Sequence, residues 1–142
     1  MSEFSCFLKA NAVAIENVKY VASKRFVDPK TKKPVKWEIK EIDTPLDEQL
    51  RKECTKKVST GKSGQFTYDL ATDKYLGKLC AVCTVYPNLN DVELQNDYGV
   101  MDADSLLKAM LNSGEYMNYK AKVAEVNGYD TSMEELVEEA KN

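Results

Sequence analysis

Histidine is absent from the 142 residues of this chain, and glycine and proline are scarce, with 6 and 4 residues. Without histidine, Ser-His and Cys-His nucleophile pairs, a histidine general base and histidine metal ligation are all excluded. The few glycines and prolines argue against extensive disorder. Paired acidic residues remain, but they fall in the first turns or on the solvated faces of expected helices, where capping and solubility explain them. The sequence therefore points away from an enzyme.

Long hydrophobic runs are also missing, so no transmembrane helix and no membrane partner are expected. Residues 1–15 lack the basic start of a signal peptide, and Lys9 and Asn11 interrupt their short apolar run. We therefore expect a cytoplasmic protein in a reducing compartment, whose four cysteines are thiols.

The net charge of −3 conceals an uneven distribution. Residues 1–63 carry 14 Lys and Arg against 9 Asp and Glu, whereas residues 64–142 carry 6 against 14. The basic residues alternate along expected strands instead of forming the concentrated face that binds nucleic acid, so no nucleic-acid partner is expected. A chain with this polarity can associate head to tail with its own copies, which makes a homo-oligomer a hypothesis.

Two alternating segments predict an N-terminal β-hairpin, at about 18–27 and 35–42. In the second segment Val35, Trp37 and Ile39 alternate with charged residues. Because an isolated hairpin is marginally stable in water, we expect this apolar face to pack on a helix.

The rest of the chain predicts five or six short helices, giving an α+β fold that is mostly α. Their expected spans are 44–58, 72–86 (or from 69), 92–98, 103–111, 115–127 and 133–140. Capping residues mark several ends, namely Thr44 with Pro45 at the first helical position, Asn90 or Asp91, Asp102, Gly128 and Ser132. We expect one domain over 1–142, with a basic hairpin-plus-helix subregion at 1–58, a flexible loop at 59–65 and an acidic helical subregion at 66–142.

Cys80 and Cys83 form a CxxC motif, which invites a redox or metal interpretation. A redox CxxC lies at the start of a helix, whereas this one lies late on an apolar helical stripe. A zinc site would have to recruit Cys6 and Cys54 from separate segments. We interpret these cysteines as buried core thiols and keep a Cys-dependent or zinc-binding protein as the alternative from another functional class.

Five stretches, in order along nearly the whole chain, carry a family resemblance, and none of them encodes a catalytic mechanism. They are VKYVASKRF (18–26), WEI (37–39), LRKECTKK (50–57), YPNLNDVELQNDYGV (86–100) and MEELVEEA (133–140). In these stretches the chain resembles the PBSX-type (XkdN-like) phage tail assembly chaperones of Gram-positive phages and prophages.

The resemblance implies a non-enzymatic role in the bacterial host cell while a phage tail is built. Such proteins coat the tape measure protein and keep it soluble until tail-tube subunits polymerise around it, and they are usually absent from the finished virion. In many of them a ribosomal frameshift yields a longer form whose extension recruits the tail-tube protein. The alternative in the same setting is a structural tail completion or adaptor protein that stays in the virion.

The residues Ala140, Lys141 and Asn142 bear on the longer form. The codons GCA AAA AAC would encode them and contain the slippery heptamer A AAA AAC. Use of these codons is a hypothesis, which the codons GCG AAG AAT at this position would refute.

The expected mechanism is that of a holdase, in which apolar grooves between helices bind amphipathic helical segments and an acidic surface keeps the assembly soluble. No catalytic, cofactor-binding or metal-binding residue is predicted. The predicted partner-binding residues are apolar side chains near helix ends, namely Leu89, Leu94, Tyr98, Tyr116 and Met117.

Overall fold

The structure is a computed structural model that describes residues 3–129. The predicted last helix, with Ser132 as its cap, and the residues from 140 to 142 lie outside this range. The described residues form a short 3-10 helix (Ser5–Phe7), five β-strands and five α-helices. The strands are β1 (Val18–Tyr20), β2 (Trp37–Ile39), β3 (Thr55–Ser59), β4 (Phe66–Leu70) and β5 (Thr84–Tyr86). The helices are α1 (Thr44–Glu53), α2 (Thr72–Cys83), α3 (Val92–Asp97), α4 (Ala103–Met110) and α5 (Ser113–Val126).

The predicted N-terminal hairpin is confirmed, but its strands are much shorter than 18–27 and 35–42. β1 and β2 pair antiparallel with Tyr20 opposite Trp37, and an isolated bridge joins Val27 to Pro34 near the tip. Between Tyr20 and Val27 the chain leaves the sheet, and Arg25 in this segment bonds to residues of the helical part of the chain. Its guanidinium donates to the Met110 carbonyl at 2.5 Å and to the Glu115 carboxylate at 3.2 Å.

A third strand completes this sheet, in the order β1-β2-β5. The predicted helix 72–86 is therefore too long, since it ends at Cys83 and the chain continues directly as β5. Thr84 and the next two residues are strand-forming types, and Thr84 uses its hydroxyl to close the helix by donating to the Cys80 carbonyl at 2.8 Å. Pro87 follows a strand and not a helix.

The first long helix also differs from its predicted span of 44–58. Its N-cap is Asp43, whose carboxylate accepts from the Leu46 N–H at 2.9 Å, so Thr44 is the first helical residue and not the cap. The helix ends at Glu53, and the residues after Cys54 form β3. β3 pairs with β4, so the segment 59–65 joins two strands of a second hairpin, and 66–70 is a strand where a helical subregion was expected.

The helices after Pro87 follow the predictions more closely. Asp91 and Asp102 cap α3 and α4 as predicted, and Gly128, with a φ of 76°, follows the end of α5. α5 begins two residues earlier than predicted, because Asn112 and Glu115 form a capping box. The hydrogen bond from the Asn112 N–H, followed by those from other donors, holds the pKa of the Glu115 carboxyl below its usual value.

The core lies between the three-stranded sheet and the helices, with α2 packed against α1, α4 and α5. Trp37 is 1% exposed, and its ring meets that of Tyr119 edge-on, with the centroids 5.4 Å apart. The expectation that the hairpin packs on a helix is thereby confirmed. The α+β class is confirmed as well, but strands share the described chain with the helices, so the predicted mostly helical bundle is not what the structure shows.

A polar cluster joins α1 to α2 inside this core. The buried Asp47 carboxylate accepts from the Tyr75 hydroxyl, from Arg51 Nε at 2.9 Å and from the Tyr129 hydroxyl at 3.3 Å. The Arg51 guanidinium also lies over the Tyr75 ring, 4.7 Å from its centroid. Burial raises the pKa of Tyr75, and the bond to Asp47 raises it further, so this hydroxyl remains a hydrogen-bond donor.

Replacing Asp47 with alanine is expected to lower the free energy of unfolding by about 2–3 kcal/mol, because the buried Tyr75 hydroxyl loses its acceptor and Arg51 loses its partner. Urea denaturation measures this loss. Asp47→Asn should lose less, since its amide oxygen can still accept from Tyr75, and Glu48→Ala on the exposed side of α1 is the control. Equal losses for the two Asp47 variants would contradict this account of the cluster.

Candidate partner-binding surfaces

The N-terminal segment, defined here as residues 3–17, carries the first group of exposed apolar side chains. Every residue from Cys6 to Asn17 is exposed. The large apolar members are Phe4, Phe7, Leu8, Val13 and Ile15, whose exposed fractions run from 57% to 93%. A local turn holds the start of the segment, since the Asn11 side chain donates to the Ser5 carbonyl at 2.7 Å. This group of exposed apolar side chains makes the segment a candidate binding surface.

The β3–β4 hairpin carries a second exposed group. Its base is closed by the Ala71 N–H, which donates to the Cys54 carbonyl at 2.8 Å, and nine of its ten strand residues are exposed. Phe66, Tyr68 and Leu70 alternate along β4 and therefore share one face of the hairpin. Lys57 belongs to the same face, with its ammonium nitrogen 4.1 Å from the centroid of the Phe66 ring.

This hairpin was missed at the sequence level, although a signal for it exists. Phe66-Thr67-Tyr68-Asp69-Leu70 alternates apolar and polar residues, which is a strand pattern. Gly64, with a φ of 78°, marks the turn before it. The partner strand was hidden because Cys54 and Val58 continue the i+4 spacing of α1.

The five predicted partner-binding residues do not share one exposed surface. Leu89 is 1% exposed and belongs to the core, whereas Leu94, Tyr98 and Tyr116 are half-buried and pack against that core. Met117 is 59% exposed.

Tyr116 has a structural role where α2 and α5 approach each other. Its hydroxyl lies over Gly77, where an added Cβ would come within 3.1 Å of the oxygen. Burial raises the pKa of Tyr116 to about 12, so the side chain stays neutral. Its position is therefore explained by packing between these helices.

An acidic surface surrounds α3. An open depression of about 700 Å³ is lined by Asn88, Asp91, Glu93, Leu94, Asn96 and Asp97. Residues 79–107 contain five acidic residues and neither lysine nor arginine. Val92, on the same helix, is 68% exposed. We call Asp91, Val92, Glu93 and Asp97 the α3 acidic surface.

The cysteines divide into one exposed and three buried thiols. Cys54, Cys80 and Cys83 belong to the core, whereas Cys6 is exposed. Burial raises the pKa of Cys80 to about 12 and raises that of Cys83 as well, and a protonated thiol is a poor nucleophile and metal ligand. Between residues 3 and 129, no three His, Cys, Asp or Glu side chains are grouped so that they could hold a metal ion.

Over the same part of the chain, no helix combines the length and apolarity needed to cross a bilayer.

Comparison with known proteins identifies the family of this chain. The sequence profile of the family described as phage XkdN-like tail assembly chaperone protein matches residues 4–141. This chain belongs to that family. The family role is assistance in tail assembly, which is not enzymatic, and the resemblance inferred from the sequence is thereby confirmed.

Individual relatives of this XkdN-like chaperone cover almost the whole chain. The protein XkdN of the phage-like element PBSX of Bacillus subtilis (strain 168) is 31% identical over 141 residues, which is 99% of this chain and 94% of XkdN. YqbN of the same strain is 33% identical and spans 99% of this chain and 93% of YqbN. A crystal structure of YqbN superposes with a TM-score of 0.75 at 29% identity, covering 92% of this chain and 99% of the YqbN chain.

Thiol labelling tests the division of the cysteines. One thiol per native chain is expected to react with a water-soluble disulfide reagent, and all four should react after unfolding, because the reagent cannot reach a buried thiol. The released chromophore counts the reacting groups. Cys6→Ser is the matched control and should abolish the native reaction, whereas labelling of Cys80 or Cys83 in the native chain would contradict the burial described here.

Proposed function

We propose that this XkdN-like chaperone binds the tape measure protein of its phage in the cytoplasm of the bacterial host and keeps it soluble until the tail tube forms around it. The observation that carries the proposal is the N-terminal segment, whose large apolar side chains are exposed and lie outside the core of the described residues. In a tail assembly chaperone, a long tail protein that must not aggregate is the natural ligand for such a surface.

The binding mechanism follows from the hydrophobic effect. Fully burying one large apolar side chain contributes about 1.5–3 kcal/mol, from which the ordering of the segment must be subtracted. Contact with apolar stripes of helical segments would bury several such side chains per copy. Modest affinity per copy suits a coat that must be shed, while many copies on one ligand bind together by multivalency.

The exposed Met117 is a second proposed contact. Met117 lies in the first turns of α5, and the thioether adapts to partners of different shape. Leu94, Tyr98 and Tyr116 stay in this proposal as partly exposed residues, whereas Leu89 is left out because its side chain is buried.

A longer, frameshifted form completes the proposed function. The short form would supply most of the coat, and the extension of the longer form would recruit the tail-tube protein to it. The membership of the chain in the family supports this step.

Co-expression with the tape measure protein of the same phage tests the main proposal. The soluble fraction of the tape measure protein is expected to rise severalfold with the wild-type chain. It should fall back when Phe7, Leu8 and Ile15 are all replaced by serine, because the apolar contact area is lost. Immunoblots of the supernatant and pellet measure this partition.

The matched control changes polar positions of the same segment, with Lys9→Ser and Glu16→Ser. Both sets of side chains are exposed, so thermal melting should confirm that every variant folds like the wild type. No increase in solubility with the wild-type chain would refute the proposed function, and full activity of the triple variant would remove the N-terminal segment from it.

Mass spectrometry of purified phage particles separates a chaperone from a tail component. Peptides of this chain are expected to be absent from virions and present in lysates of cells that are assembling tails, because the coat is displaced by the tail tube. Peptides at the level of known tail proteins would instead favour a completion or adaptor protein.

A further inference from the structure

We propose that the C-terminal segment, defined as residues 130–142, docks on the aromatic face of the β3–β4 hairpin of its own chain and covers it. The aromatic face is the side of the hairpin that carries Lys57, Phe66, Tyr68 and Leu70. The contact goes beyond the binding of a tape measure protein, because both of its surfaces belong to one chain. Three observations support it, namely the charge of the two surfaces, the place where the described residues end, and the length of chain that follows them.

The strand register gives the aromatic face an uncompensated positive charge. Lys57 lies opposite Tyr68, so both side chains are on this face. Lys56 and Asp69 lie opposite each other on the other face, where their charges offset one another. Within the two strands, the aromatic face therefore carries one cation and no acid. Its ring of Tyr68 is 73% exposed and that of Phe66 is 50% exposed, which leaves a large apolar area to be covered.

The C-terminal segment has the complementary chemistry. Five acidic residues and one lysine give it a net charge of −4. In the helix predicted from the sequence for 133–140, four apolar residues fall on one stripe and glutamates occupy the positions between them. The stripe consists of Met133, Leu136, Val137 and Ala140. Such a stripe suits an apolar face that carries a cation, whereas the α3 acidic surface would repel it.

Contacts of Tyr129 place the start of the C-terminal segment beside α1. The Tyr129 hydroxyl donates to the Asp47 carboxylate at 3.3 Å, and Arg51 donates to the same carboxylate at 2.9 Å. The Arg51 carbonyl accepts from the hydroxyl of Thr55, the first residue of β3, at 2.7 Å. Thr55 is on the same side of the hairpin as Lys57. Successive contacts along α1 therefore lead from Tyr129 to the aromatic face.

The C-terminal segment is long enough to follow this path. From Asp47 to Thr55 the chain advances about 12 Å at the helical rise of about 1.5 Å per residue. The rest of β3, up to Ser59, adds about 13 Å at about 3.3 Å per residue, so the path is at most about 25 Å long. Thirteen residues span about 20 Å as a helix and about 40 Å when extended. We therefore expect Met133 near the base of the hairpin and Ala140 nearer its turn.

A docked C-terminal segment makes the aromatic face a closed surface in the free chain. Because the two surfaces are linked, weak affinity is enough, since a short linker gives an effective concentration in the mM range. A partner of this face has to displace the segment before it binds. The segment therefore acts as an internal competitor for the hairpin.

Disulfide trapping in the full-length chain tests the proposal. Ser59→Cys places a thiol on the aromatic face, opposite Phe66, and Ala140→Cys places one on the predicted apolar stripe. Cys6→Ser removes the exposed native thiol. In glutathione buffers, the effective concentration of the introduced pair is expected to exceed the mM level of a flexible linker about tenfold. Non-reducing electrophoresis and peptide mass spectrometry identify the bridge.

Matched variants use the two faces of the hairpin. Thr67→Cys, on the other face, replaces Ser59→Cys and should give an effective concentration at least about tenfold lower. Lys57→Glu should lower the effective concentration of the Ser59 and Ala140 pair about threefold, because like charges then meet in the contact. Lys56→Glu makes the same change in net charge on the other face and should alter it less than about twofold.

Three outcomes would overturn the proposal. One is an equal effective concentration for the two faces of the hairpin. Another is a bridge found only between two chains, which would place the C-terminal segment on a second copy. The third is preferential bridging of Ala140→Cys to native Cys6 when that thiol is kept, which would assign the C-terminal segment to the N-terminal segment. The hairpin positions lie outside the core, so thermal melting should show that every variant folds. None of these results depends on the tape measure protein, so the proposed function is tested separately.

Discussion

The edge-on contact between Trp37 and Tyr119 joins the sheet of this chain to its helices. Trp37 lies in β2, the central strand of the three-stranded sheet, and Tyr119 lies in the middle of α5. The hydroxyl of Tyr119 is also 2.5 Å from that of Thr84, where α2 passes into β5. Tyr119 therefore contacts both the central strand β2 and the junction between α2 and β5.

The packed core and most of the exposed apolar side chains lie in different parts of the molecule. The buried apolar side chains come from the three-stranded sheet, the segments beside it and the helices. The N-terminal segment and the β3–β4 hairpin add almost nothing to that core and carry most of the large apolar side chains that face water. A chaperone that acts by contact needs this separation, because a surface that binds partners must remain exposed in the folded protein.

Local signals along the chain gave the starts of α3 and α4 correctly, whereas competing local signals gave wrong ends for α1 and α2. Asp91 and Asp102 were recognised because a cap bonds within its own first turn. The end of α1 was misplaced because helical spacing continued past Glu53, while pairing with Phe66–Leu70 depends on residues across a loop. Likewise, apolar residues near helix ends could not be divided into core and surface, since the burial of Leu89 is decided by contacts distant in sequence.

The narrow base of the β3–β4 hairpin has an evolutionary consequence. The Ala71 N–H bonds to the Cys54 carbonyl and the Thr55 hydroxyl bonds to the Arg51 carbonyl at this base, whereas the register of the hairpin is set by pairing between its own two strands. Natural selection for a stable fold therefore constrains residues 55–70 only weakly, and selection for their contacts with other molecules constrains them more. Substitutions can therefore accumulate in this hairpin while the packed core stays the same, because none of its strand residues belongs to that core.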